Sequence, residues 1–295
     1  MAKNSFKNPR SLLISIFKNI KFLPPKLYIP LQYEHVTGKK LNLKKPITFN
    51  EKIQWYKIYY KNPLFNQLAD KLSVRSYVEL KVGKLYLNEL LGIYETPDSI
   101  DFTNLPEKFV LKCVHGSGFN IIVKDKSKLN GVGTKKILKK WQLKNFYNKG
   151  KEWAYKGIKP LIVVEKFLED ENSVIPDYKF FCFDGEIKFI QVDLERKIKD
   201  YRCYYDTDWM KLNFYTEKNV FFEGEVKKPA NLEDMIYVAK KLSEGIPFVR
   251  VDLYSVNNKT IFGEMTFYPT NGTKAFVPEE MNTTIGNYFK LPNKM

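Results

Sequence analysis

The chain has 295 residues, 44% of them hydrophobic and 28% charged, with 19 Tyr, 22 Phe and 4 Trp. That suffices for a buried core in one large domain or two smaller ones, and it excludes a low-complexity chain. The 49 Lys and Arg against 33 Asp and Glu give a formal charge of +16, which predicts attraction to something anionic.

Charge does not by itself select among nucleic acid, lipid headgroups, a nucleotide and an acidic polymer. No zinc-finger spacing, aromatic RNA-binding signature or arginine-rich tail is present, so no specific nucleic-acid partner is expected. Cys113, Cys182 and Cys203 form no CxxC pair, and His35 and His115 are the only histidines. A cysteine- or histidine-rich zinc site is therefore excluded, and a reducing, cytoplasmic setting is expected. No window approaches the roughly 18 apolar residues that a spanning helix needs.

Residues 1–48 are basic and broken by Pro24, Pro25, Pro30 and Pro46. Leu12, Leu13, Ile16, Phe17 and Ile20 have helical spacing. This segment either touches the inner face of a membrane or packs on the body. ITFNEKIQWYKIYY predicts a helix capped by Asn50, and NPLFNQLADKLSVRSYVELKVG continues helical to Gly83. After a short link through Gly92 and Pro97, LPEKFVLKCVHGSG predicts a strand and a glycine-rich turn, and FNIIVKDKSKLNG a second strand. Ile137, Leu138, Trp141 and Leu143 mark a helical stretch, and IKPLIVVEKFLED another strand entering a loop. From there the chain reads mainly as β until NLEDMIYVAKKLSEG, a helix with Asn231 and Asp234 as a capping box. The pattern is α+β, without the regular alternation of a doubly wound sheet.

Two hairpins gather charge. In RVDLYSVNNKTIFGEMTFYP a three-residue loop, Asn257 to Lys259, sets Asp252 opposite Glu264 and Arg250 opposite Thr266. The period of two then places Arg250, Asp252, Tyr254, Phe262, Glu264 and Thr266 on one face, with Val251, Leu253, Ile261 and Met265 on the other. Opposed carboxylates repel unless a cation or proton lies between them. The pair either holds Mg²⁺ beside phosphate, with Arg250 on developing negative charge, or is a solvent-facing strand pair neutralised by Arg250. In DYKFFCFDGEIKFIQVD, Asp184-Gly185 predicts a two-residue turn that puts Asp177, Lys179, Phe181 and Phe183 on one face. Asp177 and Lys179 are either a surface pair or the lining of a ligand groove.

FVLKCVHGSG sets Lys112 at a strand end just before Gly116, Ser117 and Gly118. Successive backbone N–H groups there either cradle phosphate, with lysine as the point charge, or make an ordinary polar turn. His115 is either a base or a structural hydrogen-bonding residue. GK[ST] and GxGxxG are both absent.

LADKLSVRSYV, LPEKFVLKCVHGSGFNIIVKDKS, KPLIVVEKFL, DYKFFCFDGEIKFI and FVRVDLYSVNNKTIFGEMTFYP, in that order, resemble the TupA-like branch of the ATP-grasp superfamily over roughly residues 45–290. Its members occur among bacterial capsule and surface-polysaccharide proteins. The resemblance implies an ATP-grasp-like α+β fold with ATP and Mg²⁺ bound between two lobes. The implied organisation is a helical basic region at 1–100, a small lobe with the glycine turn at 101–168, and a β-rich lobe with the metal and phosphate site at 169–295. It implies Lys71 and Lys112 as nucleotide lysines, with His115, Gly116, Ser117 and Gly118 around the phosphates. Glu165, Lys166 and Phe167 match the strand that meets adenine. Asp252 and Glu264 match the metal ligands, with Thr266 where relatives usually carry asparagine, and Arg250 matches the arginine beside the transferred phosphate. Asp177 and Lys179 join Arg250 as expected catalytic residues.

The implied reaction is ATP-dependent ligation of a carboxylate to an amine through an acylphosphate, with no protein nucleophile. The expected partners are an acidic sugar or polysaccharide precursor and an amine or amino acid. Two other functions are expected to compete with it: a glycosyltransferase, for which Asp206-Thr207-Asp208 supplies a DxD string, and a non-catalytic anionic-polymer-binding protein.

Overall fold

The structure is a computed structural model that describes residues 23–170, 175–195, 200–217 and 220–295. The amphipathic segment around Leu12–Ile20 lies outside the described residues. Four helices come first: α1 (Pro25–Thr37), α2 (Phe49–Tyr59), α3 (Leu64–Ala69) and α4 (Val74–Lys81). Asn50 is not the cap of α2. Thr48 caps it, in a reciprocal box with Glu51, and Asn50 is buried inside the first turn. The stretch expected to run helical to Gly83 breaks at Asp70, whose Oδ1 accepts the N–H groups of Leu72 and Ser73.

Then come β1 (Leu90–Tyr94), β2 (Phe109–Cys113), β3 (Asn120–Val123), α5 (Gly131–Gln142), α6 (Tyr147–Gly150) and β4 (Ile162–Lys166). The strands form an antiparallel sheet in the order β1-β4-β2-β3. Residues 90–94, expected to be a link at the end of the helical region, are its edge strand. Alternation splits β2: Phe109, Leu111 and Cys113 point into a core closed by Leu138 of α5, while Val110 and Lys112 share the opposite face.

The remainder supplies β5 (Asp177–Phe183), β6 (Glu186–Glu195), β7 (Asp200–Tyr205), β8 (Lys211–Leu212), β9 (Tyr215–Thr216), β10 (Val220–Phe221), α7 (Leu232–Ser243), β11 (Val249–Val256), β12 (Lys259–Thr266), β13 (Phe276–Val277) and α8 (Glu280–Tyr288). Among the described residues, a seven-stranded sheet runs β10-β7-β6-β5-β11-β12, with β8 beside β7. α7 packs Met235, Val238, Ala239 and Leu242 into its core, and α2 adds Phe49, Ile53 and Tyr56 to that same core. The early helices are thus built into the large sheet. The expected capping box of α7 is absent: Asn231 bonds Thr260 and Ser255 instead, and Asp234 accepts Tyr86 Oη.

Candidate active site

Asp252 does face Glu264, and Arg250 faces Thr266, but the loop between them is not the expected one. Asn257 and Asn258, with φ of 49° and 60°, form a two-residue turn that pairs Val256 with Lys259. A bulge between Asp252 and Leu253 then restores the register. Gly263 is the extra residue, and a Cβ there would lie 2.9 Å from Asp252 O. Beyond the bulge the faces exchange. Phe262 pairs with Leu253 in the core, and Ile261 moves to the face expected for Phe262.

The β5–β6 hairpin repeats the device. Its turn is the expected Asp184-Gly185, and a bulge between Phe181 and Cys182 shifts the register by one. Asp193 therefore sits opposite Asp177, where an unbroken ladder would have put Val192. β11 lies between β5 and β12 and brings Lys179 opposite Asp252.

These strands assemble a buried charge network. Arg250 donates from Nε and Nη2 to the two oxygens of Asp252 at 2.7 and 2.6 Å, and lies 3.7 Å from Glu264. Lys179 Nζ contacts Asp177 and lies 3.4 Å from Asp252 and 3.7 Å from Asp193. Arg202, which the sequence did not single out, grips Asp193 through Nε and Nη2 at 2.6 and 3.0 Å. Burial alone would lower the Arg250 pKa, but the charge and hydrogen bonds of Asp252, with the charges of Glu264 and Asp193, together hold the guanidinium above its ordinary value. Burial likewise pushes Asp193 up, and the Arg202 hydrogen bond and charge bring it below the usual aspartate value. Asp252 is 3% exposed and Lys179 9%. Arg250 does neutralise Asp252, but inside the protein and not on a solvated surface.

The facing wall comes from the four-stranded sheet. Lys112 Nζ donates to Glu165 Oε2 at 2.6 Å. Arg75 Nη1, which carried no signal in the sequence, lies 3.8 Å from the other oxygen of Glu165. Lys71, in the break between α3 and α4, spans the two walls: Nζ donates to Gly116 O at 2.7 Å and lies 3.8 Å from Glu264 Oε2. Burial lowers its pKa, and the charge of Glu264 acts against that. Gly118 has φ of 75°, the left-handed geometry the turn requires. Between the walls is a cleft of about 1060 Å³. Lys71, Lys112, Ser117, Gly118 and Glu165–Phe167 line it from one side, and Asp177, Asp193, Asp252 and Glu264 from the other.

Several expected residues stand elsewhere. His115 turns away from the cleft, packs its ring 5.5 Å from Phe119, and bonds Trp141 O through Nε2. Burial lowers its pKa, so it is a core histidine and not a phosphate ligand. Gly116 takes part through its carbonyl, and a Cβ there would meet Phe119 and Phe146. The DxD string is a turn away from the cleft lining: Asp206 Oδ1 accepts the N–H groups of Asp208 and Met210. Burial pushes the thiols of Cys113, Cys182 and Cys203 up to about 11, 12 and 11. None is a thiolate nucleophile near neutrality.

The donor set fits a hard divalent cation. Among the described residues no group of three His, Cys, Asp or Glu converges as a metal cage. Mg²⁺ characteristically takes one or two carboxylates and fills its shell with water and phosphate oxygens. Asp252 and Glu264 supply such a pair. Arg250 occupies one lone-pair site on each Asp252 oxygen and Lys179 stands 3.4 Å from Oδ2, so the second site on Oδ1 is the one left for a metal. Thr266 Oγ1 donates to Glu264 Oε1 at 3.1 Å, which places a hydroxyl oxygen beside the carboxylate.

Among solved structures, D-alanine–D-alanine ligase from Bacillus anthracis is similar at 15% identity, covering 75% of this chain and 65% of that one, with a TM-score of 0.43. The Helicobacter pylori enzyme of the same name matches at 14% identity over 76% and 61% of the two chains, TM-score 0.39. Phosphoribosylamine–glycine ligase from Thermotoga maritima matches at 13% over 69% and 48%, TM-score 0.39. The chain thus spans about half to two thirds of the length of these structures. Comparison with curated proteins gives no match. At these identities and scores the weight falls on the family-level match, a profile described as TupA-like ATPgrasp that covers residues 51–290. That span holds all five ordered segments and both sheets that wall the cleft, and the chain belongs to the TupA-like ATP-grasp family.

Proposed function

We propose that the chain is an ADP-forming carboxylate–amine ligase that works through an acylphosphate. One observation carries this reading: a single cleft with Lys71, Lys112 and the glycine turn on one wall and the opposed Asp252 and Glu264 on the other. ATP fits with its phosphates toward Lys71 and Lys112 and its base along Glu165, Lys166 and Phe167. Asp252, Glu264 and Thr266 would hold Mg²⁺, which neutralises phosphate charge when bound. Lys179 and Asp177 keep the Asp252 carboxylate in place from β5.

An acceptor carboxylate oxygen attacks the γ-phosphorus. The new P–O bond forms as the bond to the bridging oxygen breaks, and ADP leaves. An amine nitrogen then attacks the acyl carbon. The C–O bond to phosphate breaks, phosphate departs with one original carboxylate oxygen, and the surplus amine proton passes to it. Arg250 stabilises charge on the transferred group, and the protein supplies orientation in place of a nucleophile. The formal charge of +16 favours an acidic acceptor, and we assign a uronic-acid-type carboxylate of a surface-polysaccharide precursor, joined to an amino acid or amine at the cytoplasmic face of the envelope.

Labelling one acceptor carboxylate oxygen with ¹⁸O tests the route. With ATP, magnesium, a uronic-acid acceptor and a pool of amines, the label should appear in inorganic phosphate as the amide forms. Amide formed with unlabelled phosphate would rule out the acylphosphate. Release of a sugar-derived nucleoside diphosphate in place of ADP would mark sugar transfer.

A further inference from the structure

Helix α2 carries three polar residues at positions i, i+4 and i+7, Asn50, Gln54 and Lys57, which are 5%, 1% and 1% exposed. Burial of such groups is costly unless every one is bonded, and all three are bonded to one loop. Asn50 Nδ2 donates to Lys274 O at 2.8 Å. Gln54 Nε2 donates to Asn271 O and Gly272 O at 2.9 and 2.7 Å. Lys57 Nζ donates to Asn271 O and Oδ1 at 2.9 and 2.5 Å. The loop they hold is strained: Thr270 and Asn271 take φ of 52° and 56°, which side chains other than glycine rarely adopt. Strain kept by so many bonds marks a loop whose shape is used.

What the loop shapes is a niche of about 30 Å³ behind Arg250. Asn50, Gln191, Arg202, Thr216, Arg250 and Lys274 line it with aromatic walls, and among the described residues no carboxylate does. Arg202 and Lys274 also line the main cleft, so the two spaces adjoin. Lys71, Lys112 and the glycine turn line only the main cleft. Both arginines are oriented by acids outside the niche, Arg250 by Asp252 and Arg202 by Asp193. The space exceeds the roughly 10–15 Å³ that one water needs. It suits the oxygens of a carboxylate or phosphate and is too small for a sugar ring.

We propose that this niche anchors a second anionic group of the acceptor, a carboxylate or phosphate distinct from the carboxylate that is activated. The inference rests on the ligase reading, and it makes the preferred acceptor at least dianionic. The strapped loop acts as a positioning element that keeps Lys274 at the niche mouth.

Calorimetry on the full chain, with and without saturating magnesium and the non-hydrolysable analogue AMP-PNP, can use malonate and inorganic phosphate as probes. The wild type should bind at least one of them with the analogue present. Lys274→Met should weaken that probe tenfold or more, while AMP-PNP affinity stays within threefold and reports an intact fold. Tighter malonate points to a second carboxylate, and tighter phosphate to a phosphorylated acceptor. Gln54→Leu leaves every niche side chain in place and should weaken the probe severalfold by releasing the loop. Failure of both probes to bind the wild type, or unchanged affinity in Lys274→Met, overturns the niche. Unchanged affinity in Gln54→Leu overturns the role of the helix. Probe binding without any AMP-PNP binding supports the niche and removes the nucleotide reading instead.

Discussion

Lys112→Ala is expected to weaken Mg-ATP binding about thirtyfold in calorimetry without unfolding the protein. A hydrogen bond to a charged group contributes roughly 1.5–3 kcal/mol, and about 2 kcal/mol corresponds to that factor. The effect stays below the value for an unengaged ammonium because Lys112 already holds Glu165 at 2.6 Å and must share itself with phosphate. The fold should tolerate the change. Glu165 keeps Arg75 at 3.8 Å and Asn88 at 3.5 Å, and the core face of β2 is made by Phe109, Leu111 and Cys113. Equal affinity in wild type and variant would remove Lys112 from the phosphate site.

What the sequence revealed depended on how locally each feature is determined. Strand alternation around Lys112 and the Asp184-Gly185 turn were legible because period and turn chemistry act over a few residues. The Asp252–Glu264 pairing was legible for a less secure reason. A three-residue loop and a two-residue turn followed by a one-residue bulge give the same count, and they differ in which of Ile261 and Phe262 enters the core. Only Gly263, between two bulky runs, hinted at the bulge. In the other hairpin the bulge hid Asp193, because a regular ladder assigns Val192 to that place. Arg75, Arg202 and Lys274 reach the site across the fold and have no pattern in the chain. Asn50, read from the sequence as a cap, belongs instead with Gln54 and Lys57 to a polar stripe of α2 that shows itself only when the loop at 270–274 is laid against it. His115 looked like a site residue because it precedes the glycines, and its ring packs in the core beside Phe119.

The opposed carboxylates should respond to mutation very differently. Taken alone, two facing acids predict that neutralising either one stabilises the metal-free protein. The structure changes the sign for Asp252, because Arg250 and Lys179 are buried around it. Asp252→Asn takes from Arg250 its nearest charge partner, and from Lys179 a second one at 3.4 Å beyond Asp177. Breaking a buried pair from one side costs about 3–5 kcal/mol, and Glu264 at 3.7 Å from Arg250 keeps the loss toward the lower end. Glu264 is 34% exposed, its cations stand at 3.7 and 3.8 Å, and glutamine can still accept from Thr266. Glu264→Gln should therefore cost no more than about 1 kcal/mol. Burial pushes the Glu264 pKa up, but Lys71 and Arg250 bring it below the ordinary value. Its small contribution is thus present above the unfolded value of about 4.3 and fades as pH falls through the lowered one. Denaturant unfolding in EDTA at pH 7 should show a large loss for Asp252→Asn and a small one for Glu264→Gln, and the second should vanish in strong acid. Magnesium with AMP-PNP should stabilise the wild type and fail to stabilise Glu264→Gln, since only ligands that bind the native state raise its stability. A Glu264→Gln variant that unfolds as readily as Asp252→Asn in EDTA would make Glu264 a structural counter-ion of Lys71 and Arg250, and the metal would then have to be sought away from this pair.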